Sequence, residues 1–177
     1  DARLVARCLD GDMAAFDQLI ERYQKPLYNG CLRLVGSAED AQDTLQMVFL
    51  KAYQKLETFD RERRFFSWIY KMMVNEALNS IARRKQFEEL NPNLAAPGGS
   101  PEELFAQTQL SDRVQDALMK LKPDYRAAIV LKYFGDLSYR ELSYVFDVPL
   151  KTVKSRLYAA RQKLGALIAA EGIASHG

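Results

Sequence analysis

The side chains between positions 64 and 79 offer binding chemistry rather than covalent chemistry. At helical spacing one face carries a cation, an indole, a second cation and two carboxamides, from Arg64, Trp68, Lys71, Asn75 and Asn79. Aromatic rings stack on unpaired bases for about 1 to 3 kcal/mol each, Lys and Arg follow phosphates, and amides read base edges. This face therefore indicates a binder of single-stranded nucleic acid. The alternative is that Trp68, the only tryptophan, is a core residue.

A second basic surface is predicted near the end of the chain. Residues 149–164 hold five Lys and Arg and no acid. On a helix through this segment Val153, Leu157, Ala160 and Leu164 face the core. The side chains that then point away or flank the outer face are Lys151, Lys154, Ser155, Arg156, Tyr158, Arg161, Gln162 and Lys163. Central residues there would read bases and flanking cations would hold phosphates, which indicates duplex DNA binding.

A third surface combines apolar and polar residues. On the helix after Ser37 an apolar stripe from Ala41 to Leu56 faces the core. The opposite face presents Asp43, Gln46, Met47, Leu50 and Gln54. Two large apolar side chains among polar ones indicate a site for a protein partner, and incidental exposure is the alternative.

Composition excludes most catalytic and metal-binding classes. The chain has one histidine, His176, and two isolated cysteines, Cys8 and Cys31, best explained as reduced packing residues. No glycine-rich phosphate loop is present, so we expect no enzyme, no metal and no cofactor. No apolar run approaches the roughly 20 residues of a membrane span and no secretory signal is visible, so we expect a cytoplasmic protein without membrane contact.

Charge and turn residues predict two domains. Residues 61–85 carry seven Lys and Arg against two acids, whereas residues 86–110 carry four Glu and neither Lys nor Arg. Within the acidic segment, Asn91–Pro101 holds three prolines and two glycines, which no packed helix tolerates. The interpretation is an all-α protein with a first domain over residues 1–86, a flexible acidic linker over 87–110 and a second domain over 111–177.

Local signals place the helices. Gly36 ends one helix and Ser37 caps the next, while a helix is expected from about Arg64 to Lys85 with Tyr70, Met73 and Ala77 on its buried side. In the second domain Pro123 and Gly135 bound a helix, and Ser138 with Glu141 forms a capping box. A short helix to Phe146, a tight turn and a basic helix to about Ile168 then make a helix-turn-helix.

Three runs resemble one known family. They are DAQDTLQMVFLKAYQKLETF (40–59), FFSWIYKMMVNEAL (65–78) and LSYRELSYVFDVPLKTVKSRLYAARQKL (137–164). They are similar to conserved region two and region four of the extracytoplasmic-function sigma factors of bacterial RNA polymerase. The resemblance spans nearly the whole chain, with the motifs in the family's order.

The resemblance implies a role for each surface. The face with Asp40, Asp43, Gln46, Met47 and Leu50 would dock on the clamp helices of the largest polymerase subunit, with the flap of the second subunit as a further partner. The residues implied to melt and hold the minus ten promoter element are Arg64, Phe65, Trp68, Lys71, Asn75 and Asn79. Those implied to read the minus thirty-five element are Lys151, Thr152, Lys154, Ser155, Arg156, Tyr158 and Arg161. An anti-sigma factor is a further implied partner.

Three positions depart from the residues that are usual in this family, and a second class of function competes with the one the resemblance implies. Met47 stands where the family often has an acid, Asp147 where the turn often has glycine, and Ala159 where many members have a base. Asp tolerates a left-handed turn better than most residues, so we expect the turn to form. The competing class is a repressor or activator that uses the same helix-turn-helix without polymerase contact and has no need of the Trp68 face.

Overall fold

The computed structural model describes residues 1–94 and 109–174, and over these ranges the chain is helical without a strand. The first range holds α1 (Ala2–Leu9), α2 (Met13–Val35), α3 (Ala38–Lys55) and α4 (Phe65–Leu90), with a 3-10 turn at Leu56–Thr58. The second holds α5 (Gln109–Lys120), α6 (Pro123–Ile129) with a π-helical turn at Val130–Phe134, α7 (Tyr139–Phe146) and α8 (Leu150–Ala174). The predicted all-α class is confirmed for this part of the chain. Most of the predicted linker lies outside the described residues.

In the first domain α2 and α4 pack against each other, α3 packs against both of them, and α1 packs against α2. Asp12 caps α2 by accepting from the Ala14 N–H, and Gly36 ends it with a left-handed φ of 75°. Pro26 lies inside this helix, which continues through it as one element. Ser37 caps α3 as predicted, accepting from the Asp40 N–H.

Helix α4 is buried on more sides than its sequence suggests, since it packs against α2, α3 and the second domain. Tyr70, Met73 and Ala77 are buried as expected, but so are Phe65 and Ile69. The helix continues past its expected end at Lys85 because no helix-breaking residue precedes Asn91. Its last turns therefore lie in the predicted linker.

The helices of the second domain begin and end close to the capping and turn residues that predicted them. Pro123 is the first residue of α6, and both hydrogen bonds of the Ser138–Glu141 capping box are present. Gly135 ends the preceding helix with a right-handed φ of −92°, and the left-handed residue is Asp136. Glycine suits position 135 because an added Cβ would lie 2.9 Å from the Leu131 carbonyl oxygen. Asp147 takes the left-handed turn with φ 53°.

Helix α8 extends beyond its expected end near Ile168 and reaches Ala174. Its first half packs by the predicted stripe, with Val153, Leu157 and Ala160 buried and Leu164 half-buried. Gly165 lies mid-helix without ending it, because an isolated glycine costs a helix only about 1 kcal/mol.

The two domains pack directly on each other, which the expectation of independent domains did not include. Helix α2 contacts α5, α6 and the π-helical turn, and α4 contacts α6 and α7. The buried guanidinium of Arg126, 5% exposed, donates to the carbonyls of Leu118, Met119 and Leu121 at the end of α5. It also donates to the Leu34 carbonyl at the end of α2, at 2.6 Å. One side chain therefore caps helix ends in both domains.

Candidate nucleic-acid interface

The side chains predicted to bind a single strand lie along α4 and differ in their exposure. Arg64, Asn75 and Asn79 are exposed, and Trp68 and Lys71 are half-buried. The face therefore presents one exposed cation near the helix start, which pairs with Glu141 of the second domain, and two exposed amides further along, with the indole and the ammonium recessed between them. This arrangement suits stacking and phosphate contact by the same helix side.

Trp68 belongs to an aromatic cluster at the start of α4. Its ring centroid lies 5.1 Å from that of Phe59 and 5.5 Å from that of Phe65. Both interpretations of Trp68, as a core residue and as a surface residue, are thus partly right, because the indole packs on two rings and is only half-buried.

Phe65, which also belongs to the predicted strand-binding set, is buried. Its side chain is 4% exposed and packs against Tyr23, with centroids 5.4 Å apart, as well as against Phe59 and Trp68. Phe65 therefore supports Trp68 and also forms part of the wall of the neighbouring cavity. The cause of its burial is the packing of α4 on several sides.

A cavity of about 600 Å³ opens beside this cluster. Its walls come from the start of the chain with α1, from the loop before α4 and from the first residue of α4. They include the apolar residues Val5, Phe59 and Phe65, the cations Arg61, Arg63 and Arg64, and the acids Asp1 and Glu62. Apolar walls with arginines around them suit a planar base attached to a phosphate. Sequence reasoning missed the contribution of α1, whose residues carry no signal of their own.

The predicted duplex-reading face on α8 is largely open. Tyr158 is 63% exposed, and Lys151, Lys154, Ser155 and Arg161 are exposed, whereas Thr152 and Arg156 are half-buried.

Two cations of the predicted duplex-reading set on α8 contact aromatic side chains of the second domain. Arg161 donates to the Tyr133 hydroxyl at 2.8 Å, and this hydrogen bond raises the pKa of Arg161. The Arg156 guanidinium lies 5.2 Å from the centroid of Phe146. Both cations are therefore oriented by their own domain.

The predicted docking face on α3 is exposed. Leu50 is 51% exposed, Asp43, Gln46 and Met47 are exposed beside it, and the opposite residues Val48 and Ala52 are buried. Asp40 differs from the other predicted docking residues because it is half-buried and accepts a hydrogen bond from Arg84 at 2.9 Å. Its carboxylate already has a partner within the first domain.

The exposed apolar surface next to the predicted docking face is larger than the sequence indicates. Phe87 and Leu90, on the unexpected extension of α4, are exposed, and Phe87 lines a groove of about 490 Å³ together with Asp43 and Met47. This surface was not predicted because the helix was expected to end at Lys85. Extending the helical spacing beyond Arg84 would have indicated it.

The second domain covers part of the α4 face through α7. Tyr144, on α7, lies against Arg63 and Lys71 of the first domain. Burial raises the pKa of the Tyr144 hydroxyl, so the phenol is neutral at physiological pH. No helical periodicity links positions so far apart in sequence, so the contact could not be predicted.

Comparison with known proteins identifies both halves of the chain. The family model Sigma-70 region 2 matches residues 19–87, and the model Sigma-70, region 4 matches residues 111–164. The chain is 31% identical over 166 residues to the ECF RNA polymerase sigma factor SigW of Bacillus subtilis, covering 87% of this chain and 89% of that protein. It is 33% identical over 176 residues to the ECF RNA polymerase sigma-E factor of Escherichia coli, covering 93% and 92%.

Solved structures agree on the fold. CnrH, in complex with the cytosolic domain of CnrY, superposes with a TM-score of 0.73 at 28% identity, covering 96% of this chain and 97% of that one. The sigma factor RpoE of Bartonella quintana, in complex with the anti-sigma factor NepR, has a TM-score of 0.72 at 22% identity and covers 87% and 96%. The RpoE likeness supports the fold alone.

Proposed function

This chain belongs to the ECF sigma factors of RNA polymerase, and from that membership we propose how its surfaces divide the work of promoter recognition and opening. The chain directs core polymerase to promoters and reads the minus ten and minus thirty-five elements. It also separates the two DNA strands at the minus ten element. Its action is binding rather than catalysis. The first domain, residues 1–86, docks on polymerase and opens DNA, and the second, residues 111–177, reads duplex.

One observation carries this division: the two DNA-facing surfaces have different chemistry and lie on different helices. The α4 face combines a half-buried indole, cations and amides, whereas the α8 face combines exposed Lys151, Lys154 and Tyr158 with two arginines held by Tyr133 and Phe146. Stacking needs an unpaired base, and cations that flank a groove need an intact double helix. The same chain therefore holds one duplex reader and one strand reader.

Opening of the minus ten element is assigned to Arg64, Trp68, Lys71, Asn75 and Asn79, supported by the cavity beside Phe59. A base that leaves the duplex loses stacking and pairing worth a few kcal/mol. Stacking on the exposed part of Trp68 and insertion into the arginine-lined cavity offset this loss, while Lys71 and Arg64 hold the strand's phosphates. Binding energy alone drives the opening.

Reading of the minus thirty-five element is assigned to the outer face of α8. Its residues are Lys151, Thr152, Lys154, Ser155, Arg156, Tyr158 and Arg161. Tyr133 and Phe146 hold the Arg161 and Arg156 guanidinium groups beside the groove, so these cations lose less side-chain freedom when they meet phosphate.

Docking on the polymerase clamp helices is assigned to the α3 face with Asp43, Gln46, Met47 and Leu50, extended by Phe87. Asp40 supports this face through Arg84. An anti-sigma factor that covers the same apolar surface is the proposed regulator, and the CnrH relative was itself solved with a protein partner.

The test is reconstitution with core polymerase on a promoter. We expect run-off transcripts from that promoter only when the chain is added, and we expect the chain alone to give no open DNA. A repressor or activator that lacks polymerase contact would bind the duplex by itself and would not confer promoter-specific initiation on the core enzyme. That result would overturn the proposal.

A further inference from the structure

Arg161 is held at the edge of the duplex-reading surface by a residue of the π-helical turn. Its Nη1 donates to the hydroxyl of Tyr133 at 2.8 Å. This hydrogen bond is the largest cause of the raised pKa of Arg161, and the hydroxyl of Tyr139, at the start of α7, adds to the rise. Two tyrosines of the second domain therefore lie beside a cation that is itself exposed.

The core of the second domain holds both tyrosines in place. Tyr133 follows Val130 and Leu131 in the π-helical turn, and these two residues are buried. Lys132 of the same turn donates to a backbone carbonyl of the following loop at 3.2 Å, and its ammonium nitrogen lies 4.9 Å from the centroid of the Tyr139 ring. Packing and these contacts limit the movement of both rings, as a residue that orients another must be held itself.

A phenol orients a guanidinium without neutralising it. The Tyr133 hydroxyl accepts one N–H of Arg161, whereas a carboxylate in the same place would also offset the positive charge. In the described part of the second domain the ion pairs involve Glu141 and Glu171, and neither acid pairs with Arg161. Arg161 therefore keeps its charge and its remaining N–H donors for an anion outside the protein.

The start of α7 lies where a strand of bound duplex is expected to pass. In a helix-turn-helix the second helix enters the major groove while the first crosses the DNA backbone. Here α7 is the first helix, and Tyr139 is its first residue. On α8, Arg161 follows Lys154 by seven residues, which is about 10 Å along the helix. The two cations are therefore placed to contact different phosphates.

We propose that Tyr133 is a positioning residue, which fixes Arg161 for contact with one phosphate of the minus thirty-five duplex. This role rests on the proposed assignment of Arg161 to that duplex. Because the guanidinium is oriented before DNA arrives, binding costs less side-chain entropy. Tyr133 carries no charge, so loss of its hydroxyl weakens binding without changing the number of phosphates that the protein neutralises.

The experiment combines the full chain with core polymerase and measures fluorescence anisotropy of a labelled promoter duplex over a series of salt concentrations. Tyr133→Phe keeps the ring and removes only the hydroxyl. Tyr125→Phe is the matched control, because the Tyr125 hydroxyl has no hydrogen-bond partner among the described residues and its ring contact with Lys163 is kept. Tyr133→Phe is also combined with Arg161→Ala and, separately, with Lys154→Ala.

We expect Tyr133→Phe to weaken promoter binding about threefold, alone and in Lys154→Ala, with an unchanged salt slope. Arg161→Ala should weaken binding about tenfold and lower the slope by about one phosphate contact, and adding Tyr133→Phe to it should cost nothing further. Tyr125→Phe should bind as the wild type does. Tyr133 and Arg161 are exposed, so melting temperatures should stay unchanged.

Two results would overturn the positioning role and leave the proposed function standing. One is a Tyr133→Phe protein that binds as Tyr125→Phe does, while Arg161→Ala still loses a phosphate contact. The other is an equal loss from Tyr133→Phe with and without Arg161, which would make Tyr133 a direct DNA contact. If Arg161→Ala keeps wild-type binding and salt slope, the assignment of Arg161 to the duplex is wrong and the positioning role fails with it.

Discussion

Trp68 occupies a position with two demands on one side chain. Its indole packs on Phe59 and Phe65, and the side chain as a whole is half-buried. Removing the indole therefore has a structural cost as well as a functional one, and the two must be measured separately. The buried part predicts a loss of about 1 to 3 kcal/mol in the free energy of unfolding.

For function, we predict that Trp68→Ala leaves the closed promoter complex nearly normal and abolishes permanganate reactivity of minus ten thymines. A template already mismatched at the minus ten element should largely restore transcription, since the unpaired bases then cost nothing to extrude. Assays run well below the melting temperature of the variant keep the structural loss out of the comparison.

Lys154→Ala is the matched variant on α8, and it should fail in a different way. We expect weaker promoter binding at every step, a salt dependence reduced by about one phosphate contact, and little gain from the mismatched template. If the mismatch rescues Lys154→Ala and not Trp68→Ala, melting and duplex reading have been assigned to the wrong domains.

Leu50 tests the docking face. Leu50→Glu should lower affinity for core polymerase at least tenfold, because a charge at an apolar contact costs more than about 1.4 kcal/mol. Circular dichroism should show unchanged helicity, since the side chain points away from the core. Gln42→Glu, an added charge elsewhere on exposed α3, should keep core affinity. A Leu50→Glu protein that melts early with unchanged affinity would reverse the assignment of this face.

At the scale of elements, helix ends join the two domains. Arg126 closes the carboxyl end of α5 and reaches the end of α2. Within the part of the chain that the structure describes, its guanidinium donates to four backbone carbonyls and forms no ion pair with a carboxylate. Burial lowers the pKa of Arg126, yet the partial negative charge of two helix ends favours the cation. The guanidinium replaces water at four carbonyl oxygens that packing has buried.

We predict that Arg126→Met lowers the free energy of unfolding by about 3 kcal/mol, because four buried acceptors lose their donor. Urea denaturation followed by circular dichroism measures the change. Lys122→Met, an exposed neighbour before α6, should change stability by less than about 0.5 kcal/mol. A loss for Arg126→Met no larger than that of Lys122→Met would mean that water replaces the guanidinium freely.

Elements were predictable from sequence where a single stripe or a cap defines them. The α3 and α8 faces, the Ser138–Glu141 box and the Asp147 turn all follow from local periodicity and turn chemistry. Phe65 is more deeply buried than predicted because α4 packs on three sides, which a one-stripe pattern does not describe. Helices without a breaking residue also ran on, as at Leu90.

At the scale of the whole molecule, the contact between domains was beyond sequence reasoning. Arg126, Glu141 and Tyr144 each look like ordinary helix residues, and their partners lie far away along the chain. Their pairing depends on how two finished domains meet. The proposed regulator and the polymerase both have to bind a molecule whose two domains are packed together.

We therefore predict that the regulator and core polymerase exclude each other on the α3 face. Purification of the tagged chain from its native cells should recover either partner, and Leu50→Glu should recover neither at normal yield, while Gln42→Glu recovers both. Recovery of the wild-type chain only alone or with polymerase would argue against a regulator. A regulator retained by Leu50→Glu would place it on another surface.

The double use of Glu141 has a consequence for how this protein can diverge. Glutamine at that position would keep the helix cap and lose the charge toward Arg64, while aspartate would keep the charge and is too short to do both. Mutational drift at one codon can thus set how long the two domains stay together without altering any side chain that meets DNA. Sequences that differ only at this position would differ in the stability of the contact between the domains and keep the same DNA-facing side chains.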